Sequence, residues 1–250
     1  MKPIHIVTVS DGNISTLKLT LQSIEDQIFK RFKNIIVSKK KLINLDKKFI
    51  TKRRVFYIKK KSSIYEAMNY GINKSKNNYI LFLNSGDTFT TKLSLKRMME
   101  HQEKNPKKCI MLISILKNKN DYFLPKKRTF YKKTFLTHSS FIRPPNIKDS
   151  GFNVKNKITA DGLWMENNIR KFTIKKIYNI STTFYLGGIS NFPSIRSLKK
   201  KSNTGIFSIF KEIIKLLLLK IVGRNYFFKI IYFFKYDRLN LDELKNLNLY

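Results

Sequence analysis

Between Ile4 and Ile115 the chain keeps switching between two hydrophobic periods, and this switching restricts its fold more than any other feature. Ile4–Ser10, Asn34–Ser38, Val55–Ile58, Tyr79–Leu83 and Cys109–Ile115 are short apolar runs of strand length. Between them, Leu17, Leu21, Ile24 and Ile28 recur at helical spacing over Ile14–Gln27, and Leu93–Glu103 reads as a further helix. Ser63 followed by Glu66 is a capping box, so a helix starts there and runs to about Lys74. Strands alternating with helices predict an α/β fold with a mainly parallel sheet flanked by helices.

Past Lys117 the rhythm becomes irregular, with Pro125, Pro144, Pro145 and Gly151. A helix is expected near Ala160–Lys171 and a turn at Gly187-Gly188. The composition changes after Ser194. Ile206–Val222 and Tyr226–Tyr236 are apolar and aromatic, with lysines at intervals and Gly223 between them. No apolar run reaches the roughly 18 uninterrupted residues of a spanning helix. The tail reads as an interfacial helix pair whose lysines reach for anionic headgroups. It also reads as a helical hairpin packed on its own domain or on another subunit in a homo-oligomer. The expected organisation is a domain over 1–195, divided at 117/118, and a helical basic and aromatic extension over 196–250.

The 51 Lys+Arg against 16 Asp+Glu give a net charge of +35, which either lies on solvated faces or attracts polyanions. The basic residues are scattered rather than massed, and no zinc-finger, RNA-recognition or basic-heptad pattern occurs, so no specific nucleic-acid partner is expected. Cys109 is the only cysteine, which excludes an intrachain disulfide and a cysteine metal cluster. Only three histidines are present, which argues against a histidine-rich zinc site. MKPIHIVTVS reads as a first strand rather than a signal peptide, so an intracellular setting is expected.

In such a chain each carboxylate is scarce, yet Asp87 follows the strand Tyr79–Leu83 directly, after Asn84-Ser85-Gly86. Ligands of parallel α/β sheets bind beyond the carboxyl ends of the strands. Gly86 allows a tight turn there. A lone carboxylate at that edge suits Mg2+ or Mn2+, which keep several waters and take further ligands from a diphosphate. The same four residues also read as an ordinary turn.

Several segments, in order, resemble glycosyltransferase family 2, in the branch that builds bacterial surface polysaccharide and lipopolysaccharide. IHIVTVSDGNISTLKLTLQSIEDQ (Ile4–Gln27) resembles the family's opening strand and helix, and SIYEAMNYGI (Ser63–Ile72) its Gly-Ile-Tyr-Asp-Ala-Met-Asn-x-Gly-Ile helix. FLNSGD (Phe82–Asp87) sits where the family carries its metal-binding Asp-x-Asp-like element. HSSFIR (His138–Arg143), ITADGLWMENNIRK (Ile158–Lys171) and GGIS (Gly187–Ser190) resemble its His-x-x-Phe-x-Arg, Ala-Ala-Asp-Tyr-x-Leu-x-x-Arg and Gly-Gly-Ile-Ser segments. The resemblance spans roughly residues 3–192 and implies the Rossmann-like GT-A fold.

It also implies roles. Asp87 would hold the metal, with Asn84 and Ser85 beside the diphosphate and sugar. Asp161 would be the base for the acceptor hydroxyl. Thr8, Ser10, Asn69 and Tyr65 would line the nucleotide pocket. His138 would lie near the donor sugar or the acceptor, or be a hydrogen-bonded structural histidine. The implied reaction is an inverting, metal-dependent transfer from a nucleotide-diphosphate sugar to a glycan or lipid-linked acceptor, at the cytoplasmic face of the cell membrane. Two departures bear on this. Val37-Ser38-Lys39-Lys40, and Lys59, Lys60 and Lys61, stand where relatives carry acidic contacts to the nucleotide. That leaves the donor open, and a catalytically degenerate partner protein on the same fold is the alternative.

Overall fold

The structure, a computed structural model, describes residues 3–119, 121–132, 137–145, 151–156, 160–169, 173–186, 193 and 206–247. The GGIS segment lies outside them, as do Ile158 and Thr159. The chain divides into two compact units. One comprises Met1–Ile115 and Lys127–Phe184, the other Leu116–Lys126 and Tyr185–Leu249.

The first unit is built around β1 (Ile4–Ser10), which is buried on both faces along its whole length. Double burial is why its sequence is a continuous run rather than an alternating one. β2 (Phe32–Ser38) and β4 (Tyr79–Phe82) pair with it in parallel on either side, and β3 (Arg54–Ile58) pairs in parallel with β2. The helices α1 (Ile14–Glu25), α2 (Ile64–Lys74) and α3 (Ser94–Glu103) connect and cover these strands. Leu17, Leu21 and Ile24 of α1 join Ile4, Ile6 and Leu81 in one apolar core. α2 comes close enough to β1 that a Cβ on Gly71 would meet Val7 Cγ1 at 2.3 Å.

Beyond β4 the pairing turns antiparallel. β8 (Phe141–Arg143) lies against β4, and β6 (Cys109–Asn118) against β8. The two-residue β5 (Thr88–Phe89) pairs with β9 (Ile174–Tyr185). The helices α4 (Lys127–Lys132) and α5 (Ala160–Ile169) complete the unit. A 3-10 turn at His138–Ser140 leads into β8. Behind that turn, Ser114, Thr137, Ser139, Ser140 and Thr182 form a buried hydroxyl cluster, with Ser114 Oγ 2.6 Å from Thr182 Oγ1.

In the second unit, β7 (Asp121–Pro125) pairs with the end of β6, and β10 (Tyr236–Leu239) pairs with β7. That pairing explains why residues 121–125 sort with the tail, although the sequence had grouped them with 118–195. The tail helix α6 (Ile206–Tyr232) is broken at Gly223, at φ 68° and ψ 173°, a conformation only glycine adopts readily. Tyr232 packs on Phe123 and Tyr236. The final helix α7 (Leu241–Leu247) begins at Asn240, whose side chain accepts from the N–H groups of Asp242 and Glu243.

Candidate active site

The site begins where β4 ends. Leu83 and Ser85 still donate to β1, to Val7 O and Val9 O, so the backbone is fixed as it leaves the sheet. It then turns, with Asp87 N–H donating to Asn84 O at 2.9 Å and Gly86 at φ 102°. Thr20, fully buried on α1, holds this turn from below. Its hydroxyl donates to Asp87 O at 2.8 Å and accepts from Gly86 N–H at 2.9 Å. Sequence reading missed Thr20. Its signal was a polar residue on the apolar face of α1, between Leu17 and Leu21.

His138 brings two distant carboxylates together. Its Nε2 lies 3.4 Å from Asp87 Oδ2, and its Nδ1 lies 3.4 Å from Asp161 Oδ2. Asp161 sits in the first turn of α5, and its Oδ1 accepts from Tyr65 Oη at 3.0 Å and from Gly162 N–H at 2.9 Å. Asn84 Oδ1 accepts from Val9 N–H, so its Nδ2 faces His138 Nε2 at 2.9 Å. Phe82, Phe141, Phe152 and Trp164 close the site behind His138 and Asp161.

The electrostatics follow from this sandwich. Burial opposes a charge on His138, but hydrogen bonds to Asp161 and Asp87 and their negative charges outweigh it, raising its pKa to about 9. The Asn84 contact suits a neutral ring, with Nε2 accepting. Two carboxylates outweigh one neutral amide, so the charged ring is favoured. Burial likewise works against ionised Asp161, yet the His138 contact and the donors on Oδ1 hold its pKa below the ordinary value. Burial, and then the charge of Asp161, push the Tyr65 hydroxyl upward, so it stays protonated and donates.

The structure therefore gathers Asp87, Asn84, His138, Asp161 and Tyr65. The other sequence-derived candidates are engaged within the protein. Thr8 is fully buried, and its hydroxyl accepts from Asn34 Nδ2 at 3.0 Å. Ser10 is buried and accepts from Gly12 N–H. Asn69 clamps Phe152, accepting from its N–H and donating to its C=O, both at 2.8 Å. Ser85 Oγ lies 3.0 Å from Thr16 Oγ1 beside the turn.

Among the described residues no group of three His, Cys, Asp or Glu could hold a metal. The oxygen donors at the β4 turn suit a different kind of ion site. Asp87 offers a hard carboxylate, with Asn84 and Ser85 beside it, which fits a cation that draws its remaining ligands from phosphate and water.

The family model for "Glycosyl transferase family 2" matches residues 5–185. Solved structures with a similar fold include S. aureus TarS 1-349 in complex with UDP, with TM-score 0.60 and 12% identity, covering 73% of this chain and 60% of that one. The same protein with UDP-GlcNAc gives a TM-score of 0.61 at 13% identity, over 73% of this chain and 58% of that one. The mannosyltransferase PcManGT from Pyrobaculum calidifontis, in complex with GDP-Man and Mn2+, gives 0.55 at 8% identity, over 86% and 64%. The chain thus spans about 60% of the length of the TarS structure it matches. Among proteins of curated function, none matches it. Six motifs in order, a parallel β3-β2-β1-β4 core with its turn at the β4 edge, and a family match over most of the chain agree: the protein belongs to glycosyltransferase family 2.

Proposed function

We propose that this chain is an inverting, metal-dependent glycosyltransferase that moves a sugar from a nucleoside-diphosphate donor to a hydroxyl of a surface glycan or lipid-linked acceptor. The observation that carries this reading is the meeting of Asp87 and Asp161 on the two nitrogens of His138. Inverting transfer needs one acid at the diphosphate and another at the attacking hydroxyl, on one cleft. The complexes of TarS with UDP and UDP-GlcNAc, and of PcManGT with GDP-Man and Mn2+, support the donor class and the ion.

Asp87 would hold Mg2+ or Mn2+, with Asn84 and Ser85 beside the diphosphate. When bound, the ion neutralises charge on the leaving group. Asp161 Oδ2 takes the proton from the acceptor hydroxyl as its oxygen bonds to the anomeric carbon and the bond to the diphosphate breaks. Tyr65 and Gly162 keep the other oxygen of Asp161 fixed, and Oδ2, which meets His138 Nδ1 at 3.4 Å, keeps a second lone pair for the acceptor hydroxyl. The acceptor is met at the cytoplasmic face of the membrane.

A thermal-shift panel of nucleoside diphosphates, with and without Mn2+, tests the reading. One nucleotide should stabilise the protein in a metal-dependent way, and Asp87→Ala should remove the effect. Asp161→Asn should keep the shift and lose transfer. Lysines at Lys39-Lys40 and Lys59–Lys61 favour a second reading, a non-catalytic partner with the same fold. A flat panel, or cells whose glycan survives Asp161→Asn, selects that one.

A further inference from the structure

The tail helix carries an apolar stripe that faces water. Phe210, Ile213, Ile214, Leu217 and Ile221 are 57%, 39%, 48%, 53% and 81% exposed. Their spacing of three and four residues puts them on one face of α6. Past the break at Gly223, in the turn that follows α6, Phe233 and Phe234 are also exposed, at 70% and 84%. Single exposed hydrophobics need no explanation, but a contiguous stripe marks an interaction surface.

Charge identifies the occupant. α6 carries Lys211, Lys215, Lys220, Arg224 and Lys229 against the single acid Glu212, and Glu212 is buried. Lys211 and Lys220 are exposed and lie on opposite sides of the stripe by helical spacing. A second copy docking face to face would set these positive edges against each other, in a chain whose net charge is already +35. An anionic bilayer surface suits both the apolar centre and the cationic margins. Among the described residues no helix is long and apolar enough to cross a membrane, and an amphipathic helix that meets a bilayer without spanning it lies in the interface plane.

We propose that α6 and the Phe233-Phe234 tip insert into the headgroup region of an anionic lipid bilayer. This deepens the membrane-side reading of the acceptor and rests on it for its purpose, but it involves none of the transfer residues. Sedimentation of the full chain with vesicles, free of nucleotide and metal, therefore fails independently of the chemistry. Vesicles of phosphatidylcholine with about a third phosphatidylglycerol should carry the protein down, whereas phosphatidylcholine alone should not. Leu217→Ser with Ile221→Ser should lower the partition coefficient about tenfold or more, because two largely exposed aliphatic side chains no longer enter the bilayer. An unchanged melting temperature in that variant shows that the fold is intact. Phe234→Trp should show a blue-shifted emission only on anionic vesicles. No binding to anionic vesicles overturns the proposal. So does binding that the double substitution leaves unchanged, which would be adsorption by charge alone. Self-association without lipid that the double substitution abolishes also overturns it, in favour of a second copy.

Discussion

Thr20→Val is the most direct probe of how the fold holds its candidate metal-binding turn. The substitution keeps the side-chain shape and removes only the hydroxyl. That hydroxyl makes two hydrogen bonds at the turn, donating to Asp87 O at 2.8 Å and accepting from Gly86 N–H at 2.9 Å. Thr20 is fully buried and Asp87 only 4% exposed, so water cannot readily take over. Leaving a buried donor or acceptor unpaired costs about 1–3 kcal/mol, and two are left here, so the variant should lose about 2–6 kcal/mol. For a chain of this size that lowers the melting temperature by roughly 4–24 °C. Thr20→Ser keeps the hydroxyl, loses one methyl group, and should recover most of the difference. Metal-dependent stabilisation by nucleoside diphosphate should fall further in Thr20→Val than in Thr20→Ser, since the backbone of Asp87 is no longer tied down. If Thr20→Val melts within about 1 °C of the parent, the turn is not held in this way and the reasoning fails.

Two further outcomes are expected. Gly71→Ala should destabilise the protein by about 1–3 kcal/mol, because its new Cβ collides with Val7 on the central strand, and chemical denaturation will measure it. In metal-free buffer the His138 sandwich makes stability depend on pH: the raised imidazole pKa contributes fully below pH 6.5, and that contribution is lost as pH rises through about 9, by at most about 3 kcal/mol. Asp161, whose pKa is lowered, adds stability that disappears only as pH falls through its folded value in the acid range. His138→Gln should flatten the alkaline limb of a melting-temperature profile, and parallel profiles for the two proteins would refute the assignment.

The first half of the fold was legible because its signals are local. β1 spans Ile4–Ser10 as read, and Ser63 with Glu66 forms both halves of the capping box. β9 was not legible, and no element was read over Ile174–Tyr185. Its Ser181, Thr182 and Thr183 interrupt any apolar pattern, yet they are buried: Ser181 bonds to Ile113 O and Thr182 enters the hydroxyl cluster. The tail shows the same limit from the other side. Apolar spacing extended a helix to Tyr236, but Tyr236–Leu239 pairs as a strand with Pro125–Tyr122, a partner far away in sequence. Short apolar runs do not distinguish helix from strand without that partner.

The site follows the same logic, and this bears on how it is built. Motifs put Asp87 and Asp161 at the ends of their own elements, but nothing local says that His138 stands between them. Its position depends on the 3-10 turn that the buried hydroxyls of Ser114, Thr137, Ser139 and Ser140 hold in place. Each of these groups would be costly to bury alone, and together they satisfy one another. The imidazole is therefore held from behind by a neutral network and from both sides by charge. Moving it would require either the cluster to open or a cation to take over Asp87. Damage to the cluster, as in Ser114→Ala, should accordingly loosen Asp161 and Asp87 together, although it touches neither.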